Sequence, residues 1–186
     1  QVRSFLILAV GLVLLLIWHL MQTGLGFGQA VRQASFNGVS IMTGTGYVSA
    51  NFSAWGGFAT TILLIVMFIG GCGGSTTCGI KVFRLQVLAS TAKVQISRLL
   101  RPHAVVLAYY NKRPVSVEVM DSVMGFFYLF ILGFVLIAIM LGIAGLDFVT
   151  ALSGAATSIS NVGPGLGEVI GGRGNFWTLH ERATWI

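Results

Sequence analysis

Two short glycine-bearing turns carry residue types that could bind a bare cation. They occupy residues 43–47 (TGTGY) and 160–167 (SNVGPGLG). Glycine permits the backbone angles that aim successive carbonyl oxygens to one side, and a ring of such oxygens replaces the water around K⁺. Neither turn contains a carboxylate, whereas Ca²⁺ sites use several acidic ligands. The pattern predicts a site for a monovalent cation, although each turn taken singly is equally compatible with ordinary turn chemistry.

A third motif is the glycine-rich stretch at residues 70–79 (GGCGGSTTCG), which follows an apolar run and precedes Lys81. Glycine is a poor helix former, and irregular backbone inside a membrane is tolerated only where protein or a water-filled cavity satisfies it. The stretch therefore predicts a helix that breaks within the membrane. Its cysteines, Cys72 and Cys78, have no His or carboxylate beside them, so packing explains them better than a zinc site.

The composition indicates that the elements carrying these motifs belong to a membrane protein. Of the 186 residues, 55% are hydrophobic and 9% are charged, whereas soluble domains carry roughly a quarter charged residues. Residues 33–80 and 122–146 contain no Asp, Glu, Lys or Arg, and uncharged apolar segments of about 18 or more residues predict bilayer-spanning helices. Seven of the eleven basic residues lie between Lys81 and Arg113. This cluster fits the cytoplasmic side of a membrane protein better than nucleic-acid binding.

The apolar pattern predicts an all-α polytopic membrane protein. Spanning helices are expected at residues 4–21 and 115–144, and a broken one at residues 58–69 and 82–100. Shorter helices that dip into the membrane are expected before each turn, at residues 29–42 and 148–159, the second capped by Asp147. A basic loop at residues 101–114 separates the halves, and residues 176–186 begin a further span.

The two turns fall at equivalent positions of an internal repeat. Gly46 and Gly163 are 117 residues apart, and the same offset places Ser40 on Thr157 without a gap. Repeats of this kind are typical of membrane transport proteins. The chain therefore divides into a membrane–pore–membrane repeat, a cytoplasmic basic linker, and a second repeat whose last helix is incomplete. These three parts are residues 1–92, 93–114 and 115–186.

The three motifs, in this order, resemble the Trk/Ktr/HKT superfamily of potassium transporters, most closely the membrane subunit of the bacterial Trk type. That superfamily has four membrane–pore–membrane repeats around one ion pathway, and this chain resembles the third and fourth. The resemblance places the filter on Thr43, Gly44, Thr45, Gly46, Tyr47, Ser160, Asn161, Val162, Gly163 and Pro164. It implies K⁺ binding at Thr43, Gly44, Thr45, Ser160, Asn161 and Val162. It places the gating loop on Gly70, Gly71, Cys72, Gly73, Gly74, Ser75, Thr76, Thr77, Cys78, Gly79 and Lys81.

The resemblance also implies how the protein works and with what. The expected function is K⁺ uptake across the bacterial inner (plasma) membrane by a multi-pass subunit that carries no covalently bound cofactor. The expected partners are the lipid bilayer, a second copy of the subunit, a cytosolic nucleotide-binding regulatory subunit, and the missing N-terminal half of the same subunit. Coupling to another ion, as in a symporter, also follows from the resemblance alone.

Three alternatives remain open from the residues themselves. The chain could be a non-conducting membrane fragment with a structural or assembly role, or a Na⁺-permeable relative, because two of the four repeats are absent. An enzyme is a poor explanation. The sequence GSTTCGIK lacks the order that a phosphate-binding loop requires, and Pro164 interrupts the dinucleotide-like spacing of Gly163, Gly165 and Gly167.

Overall fold

The computed structural model describes residues 1–101, 107–111, 113–172 and 174. Helices account for most of this part of the chain. They are α1 (Val2–Gln22), α2 (Phe27–Thr43), α3 (Gly57–Phe68), α4 (Val82–Leu100), α5 (Val117–Ile143), α6 (Phe148–Ser160) and α7 (Gly167–Ile170), with a short 3-10 helix at Phe52–Trp55. The predicted helices 29–42, 58–69, 82–100, 115–144 and 148–159 all occur within two residues of these bounds.

Two of the described helices, α1 and α5, are long and apolar enough to cross a membrane by length and composition. Their apolar side chains are largely exposed, for example Ile7 and Leu14 on α1 and Leu129 and Ile131 on α5. A helix that is apolar all round and little covered by protein fits a lipid environment, because water would not tolerate that surface.

The short helices α2 and α6 each pack against the long helix that precedes them in the chain, α2 on α1 and α6 on α5. Small residues permit the close approach. A Cβ added to Gly38 on α2 would lie 3.1 Å from Leu16 Cδ1, and one added to Gly154 on α6 would lie 3.1 Å from Leu141 Cδ1. The main apolar core joins the two pairs, since Ala156 and Val162 belong to the same cluster as Leu16.

The predicted helix break is present, because α3 ends at Phe68 and α4 begins at Val82. The two ends of the segment between these helices lie side by side. Gly70 N donates to Ile80 O at 2.9 Å, and Ile80 N donates to Phe68 O at 2.8 Å. These bonds pinch residues 70–79 into a closed loop, which satisfies part of its backbone without a helix.

An aromatic seam fastens both sides of this loop to α5. Phe68, the last residue of α3, makes edge contacts with Phe130 and Phe134, with ring centroids 6.1 and 5.0 Å apart. On the other side of the loop, the Arg84 guanidinium carbon of α4 lies 3.7 Å from the ring centroid of Phe126. The three α5 residues are four apart in sequence and therefore share one face of that helix.

The linker departs from the predicted loop. Within residues 101–114, Tyr109–Tyr110 and Arg113–Pro114 form a two-stranded antiparallel hairpin. Ser90 of α4 fixes its first strand, since the Ser90 hydroxyl bonds both the carbonyl oxygen and the amide nitrogen of Tyr109. No alternation of apolar and polar residues in the linker is long enough to predict two strands of two residues each. The predicted final span at residues 176–186 lies outside the described residues.

The predicted cap of α6 is confirmed. The Asp147 carboxylate accepts a hydrogen bond from Thr150 N at 3.1 Å, which satisfies one amide that the first helical turn leaves unpaired. Hydrogen bonding from the Thr150 side chain holds the pKa of the Asp147 carboxyl below its usual value; burial partly opposes this, and weaker hydrogen bonds from backbone N–H groups add to the lowering. The carboxylate therefore stays charged at the positive end of the helix dipole.

We expect Asp147→Ala to destabilise α6 by about 1 kcal/mol, the usual contribution of an N-cap side chain. Thermal unfolding of the purified chain in detergent would report this as a lowered midpoint. Asp147→Asn is the matched control, because an asparagine oxygen can still accept from Thr150 N. If both variants unfolded like the unsubstituted chain, the cap would contribute nothing.

Candidate cation-binding site

Both short helices end in the same unusual backbone conformation. The residue after each helix is left-handed, Gly44 with φ 68° and Asn161 with φ 49°. Two residues later, Gly46 and Gly163 again have positive φ, 75° and 106°. Thr45 and Val162, which lie between them, do not have positive φ. In an ordinary extended strand successive carbonyls point to opposite sides, whereas alternating the sign of φ can turn neighbouring carbonyls to the same side.

The two turns lie directly against each other. A Cβ added to Gly46 would come within 2.7 Å of Val162 O and 3.7 Å of Gly163 Cα, and one added to Gly163 would lie 3.4 Å from Gly46 Cα. A Cβ on Gly44 would lie 3.6 Å from Asn161 O. The backbones of positions 117 residues apart thus meet, which is the arrangement expected of two quarters of one filter.

Equivalent hydroxyl groups brace the two turns from behind. Ser40 Oγ of α2 donates to Tyr47 O at 2.7 Å, and Thr157 Oγ1 of α6 accepts from Gly163 N at 2.8 Å. Ser40 and Thr157 are related by the repeat offset of 117 residues. Sequence analysis used this pair only to align the repeat and missed its role. The signal available was a hydroxyl residue at the same position of both copies.

A second pair of buried polar side chains holds the chain that follows each turn. Asn37 is fully buried and bonds Ser49 through both its amide nitrogen, at 2.9 Å, and its oxygen, at 3.0 Å. In the other copy Ser153 Oγ bonds the nitrogen and the oxygen of Leu166, at 2.9 and 3.0 Å. Residues 49 and 166 are again 117 apart, so both copies are held at the same point by different chemistry.

Hydroxyl groups at the inner ends of the turns differ in their bonding. Thr43 Oγ1 donates to Val39 O at 2.7 Å and contacts Thr45 Oγ1 at 3.0 Å. Its counterpart Ser160 is 2% exposed, and its Oγ has no hydrogen-bond partner among the residues that the structure describes. A buried hydroxyl without a partner costs free energy unless something else satisfies it. Ser160 Oγ is therefore one side-chain oxygen that the second turn offers to a ligand.

The glycine-rich loop at residues 70–79 is held by Lys81. The Lys81 ammonium donates to Ser75 O at 2.8 Å and Ser75 Oγ at 3.1 Å, and it also bonds Thr77 O. Ser75 Oγ in turn donates to Cys72 O at 2.8 Å. A positive charge surrounded by oxygens of the loop stabilises its present shape, because each such bond is assisted by the charge.

The loop meets the filter turns at Thr77. Its Cγ2 methyl carbon lies 3.6 Å from the position that a Cβ on Gly44 would take. The neck of the loop requires glycine, since a Cβ on Gly70 would collide with the carbonyl oxygen of Cys78. The structure thus brings the predicted loop next to the inner end of the first predicted filter turn.

One predicted filter residue points elsewhere with its side chain. Tyr47 is 74% exposed and lines an apolar crevice along α2 with Arg32, Phe36 and Val39. Its carbonyl accepts the bond from Ser40 and so faces α2.

Cys72 and Cys78 are free thiols. Among the residues that the structure describes, no group of three His, Cys, Asp or Glu side chains could hold a metal ion, so backbone and hydroxyl oxygens are the ligands on offer.

Comparison with known proteins identifies the family. Residues 1–176 match the family model described as TrkH, cation transport protein. The chain belongs to the TrkH family. That membership confirms the predicted resemblance, and with it the expectation that the chain is an all-α membrane protein and not an enzyme.

Individual TrkH family members cover the chain almost completely. The Trk system potassium uptake protein TrkI of Halomonas elongata is 42% identical over 100% of this chain and 38% of its own length. TrkH of Vibrio parahaemolyticus is 37% identical over 84% of this chain and 32% of its own length. The crystal structure of the potassium transporter TrkH from Vibrio parahaemolyticus superposes with a TM-score of 0.88 at 34% identity, over 98% of this chain and 39% of that one. The chain thus spans about a third of the relatives it matches.

Proposed function

We propose that this TrkH family chain forms part of the ion pathway of a potassium uptake protein in the bacterial inner membrane, which it crosses several times. K⁺ passes over carbonyl oxygens of the turns at residues 43–47 and 160–164, except that of Tyr47, which accepts the hydrogen bond from Ser40. The relatives TrkI and TrkH, whose names describe potassium uptake, support K⁺ as the ion. The two-repeat organisation, residues 1–92 and 115–186 joined by the linker 93–114, is part of the same proposal.

One observation carries the proposal: Gly46 and Gly163 meet backbone to backbone, and each lies in a turn of alternating φ. Both turns follow the C-terminus of a short helix, where the negative end of the dipole favours a cation. Asn161, Val162 and Ser160 then supply ligands from the second turn, as Thr43, Gly44 and Thr45 do from the first. Ser160 Oγ, which is buried and has no partner within the described part of the chain, adds a side-chain oxygen.

The loop at residues 70–79 is the gate in this proposal. It lies against the inner end of the first turn through Thr77, and the Lys81 ammonium fixes its shape. Its glycines leave a path for backbone rearrangement at low steric cost. A loop in this position controls access to the filter from the cytoplasmic side.

The partners in this proposal follow from the family. A second copy of the subunit, the remaining repeats and a cytosolic nucleotide-binding regulator complete the assembly. The regulator meets the basic linker, where we assign contacts to Arg98, Arg101 and Arg113; Lys112, of the same cluster, lies outside the described residues.

A chimera tests the proposal directly. This chain replaces the matching 38% of Halomonas elongata TrkI, and the hybrid is expressed in a bacterium deprived of its own potassium uptake. We expect growth at low external K⁺ and K⁺ uptake in preference to Na⁺. Equal uptake of both ions would favour the Na⁺-permeable alternative. A hybrid that reaches the membrane and moves neither ion would favour a structural role and contradict the proposal.

Thr157→Val in the chimera tests the brace behind the second turn. The substitution keeps the side-chain shape but removes the acceptor of Gly163 N, and a lost hydrogen bond of this kind costs about 1 kcal/mol. We expect K⁺/Na⁺ discrimination to fall about fivefold, measured by competitive uptake. Thr61→Val, at an exposed hydroxyl of α3, is the matched control. If Thr157→Val discriminated between K⁺ and Na⁺ as well as the unsubstituted hybrid, the hydrogen bond between Gly163 N and Thr157 would have no part in selectivity.

A further inference from the structure

A polar pocket at the beginning of α1 lies away from both filter turns. It has a volume of about 530 Å³ and opens between α1, α4 and the hairpin of the linker. Its walls include the cations Arg3 and Lys93, and none of the described residues that line it is acidic. Neither cation has an ion pair or side-chain hydrogen bond in the part of the chain that the structure describes. Two unpaired positive charges in one pocket attract an anion.

Hydrogen bonds between its walls keep the pocket in shape. Gln86 Nε2 of α4 donates to Ser4 Oγ of α1 at 2.6 Å. The Ser90 hydroxyl holds Tyr109 of the hairpin through two bonds of 3.0 and 3.1 Å. All three elements are thus tied together without using Arg3 or Lys93. The cationic groups remain available to a ligand, and the ligand need not organise the site.

The surroundings of the pocket fit a molecule with an apolar tail. Arg3 begins the membrane span α1, and Ile7 and Leu8 follow Arg3 and Ser4 by one helical turn on the same face. Both are exposed, Ile7 at 61% and Leu8 at 42%. Basic pockets between transmembrane helices on the cytoplasmic side are suited to anionic lipid head groups. The acyl chains of such a lipid would run along the exposed apolar side chains of α1.

We infer that this pocket, between Arg3 of α1 and Lys93 of α4, binds the phosphate of an anionic phospholipid. The phosphate oxygens pair with the guanidinium and the ammonium, and Ser4 and Tyr110 offer hydroxyl groups to the same head group. Occupation of the pocket adds a bridge between Arg3 and Lys93 to the hydrogen bond that already joins α4 to α1.

Native mass spectrometry of the purified chain in detergent tests the inference. The chain is titrated with phosphatidylglycerol, with phosphatidylcholine and, separately, with inorganic phosphate. We expect phosphatidylglycerol to be retained in preference to phosphatidylcholine. The double variant Arg3→Gln/Lys93→Gln should lose about 30-fold in apparent affinity for it, since each basic residue near a membrane surface contributes about fivefold.

The matched control is Arg32→Gln on α2, which removes a positive charge that does not line the pocket and should retain phosphatidylglycerol. Circular dichroism of every variant checks that helix content is unchanged, and single Arg3→Lys and Lys93→Arg variants keep the charge and should keep the lipid. Equal retention of both lipids, or undiminished retention by the double variant, would overturn the inference. Displacement of phosphatidylglycerol by millimolar inorganic phosphate would identify a site for soluble phosphate and overturn the lipid assignment.

Discussion

Gly46→Ala in the TrkI chimera is expected to abolish most K⁺ uptake and most preference for K⁺ over Na⁺. The position has φ 75°, a conformation that costs a residue with a Cβ about 1–2 kcal/mol. The added methyl would also come within 2.7 Å of Val162 O. That neighbour is backbone and cannot rotate away, so the two turns must separate. Since about 1.4 kcal/mol corresponds to a factor of ten, we expect at least a tenfold loss of discrimination.

Competitive uptake of K⁺ and Na⁺ into cells measures this effect, with the amount of hybrid in the membrane determined in parallel. Gly28→Ala is the matched control. Gly28 lies on α2, the helix that precedes the turn; its φ is not in the left-handed region, and nothing lies within 4 Å of the position of its Cβ. The control should transport normally. Wild-type discrimination in Gly46→Ala would show that the turn at residues 43–47 is not part of a filter.

Lys81→Met is expected to raise K⁺ flux through the resting protein by about tenfold. The substitution keeps an unbranched side chain of similar length but removes the ammonium that bonds Ser75 and Thr77. Hydrogen bonds to charged groups contribute about 1.5–3 kcal/mol each, and they stabilise the loop in the position where Thr77 lies against the first turn. In the proposed gate these bonds form only in the closed arrangement, so losing them shifts the loop toward the open one.

Flux of K⁺ into proteoliposomes that contain the purified chimera and no regulatory subunit measures the resting state. Lys81→Arg keeps the charge and several donors, and it should stay close to the unsubstituted hybrid. A K⁺ flux in Lys81→Met equal to that in Lys81→Arg would contradict the idea that Lys81 holds the loop closed. A lower flux in Lys81→Met would mean that Lys81 holds the pathway open.

The helices could be predicted from the sequence because the signals that define them are local. Apolar runs free of charge fix α1 and α5, glycine ends α2 and breaks α3 from α4, and Asp147 marks the beginning of α6. The offset of 117 residues also predicted which residues of the two turns would correspond. Family membership supports this outline, while the filter and gate assignments remain proposals.

What could not be predicted depends on contacts between distant residues. Ser40 and Thr157 look like ordinary helix hydroxyls until the turns fold back over them. The reach of Lys81 to the oxygens of Ser75 and Thr77 depends on a neck formed by Ile69 and Ile80, a parallel bridge that no periodicity signals. The hairpin is stabilised by Ser90, nineteen residues away, which local propensity does not register.

The aromatic seam on α5 has a mechanical consequence. Phe68 at the end of α3 and Arg84 near the beginning of α4 both contact aromatic side chains of α5. The spacing between α3 and α4 is therefore set by α5. If residues 70–79 act as the proposed gate, they change conformation while the ends of α3 and α4 keep their spacing. The surrounding helices then need not repack, so the rearrangement stays confined to the loop.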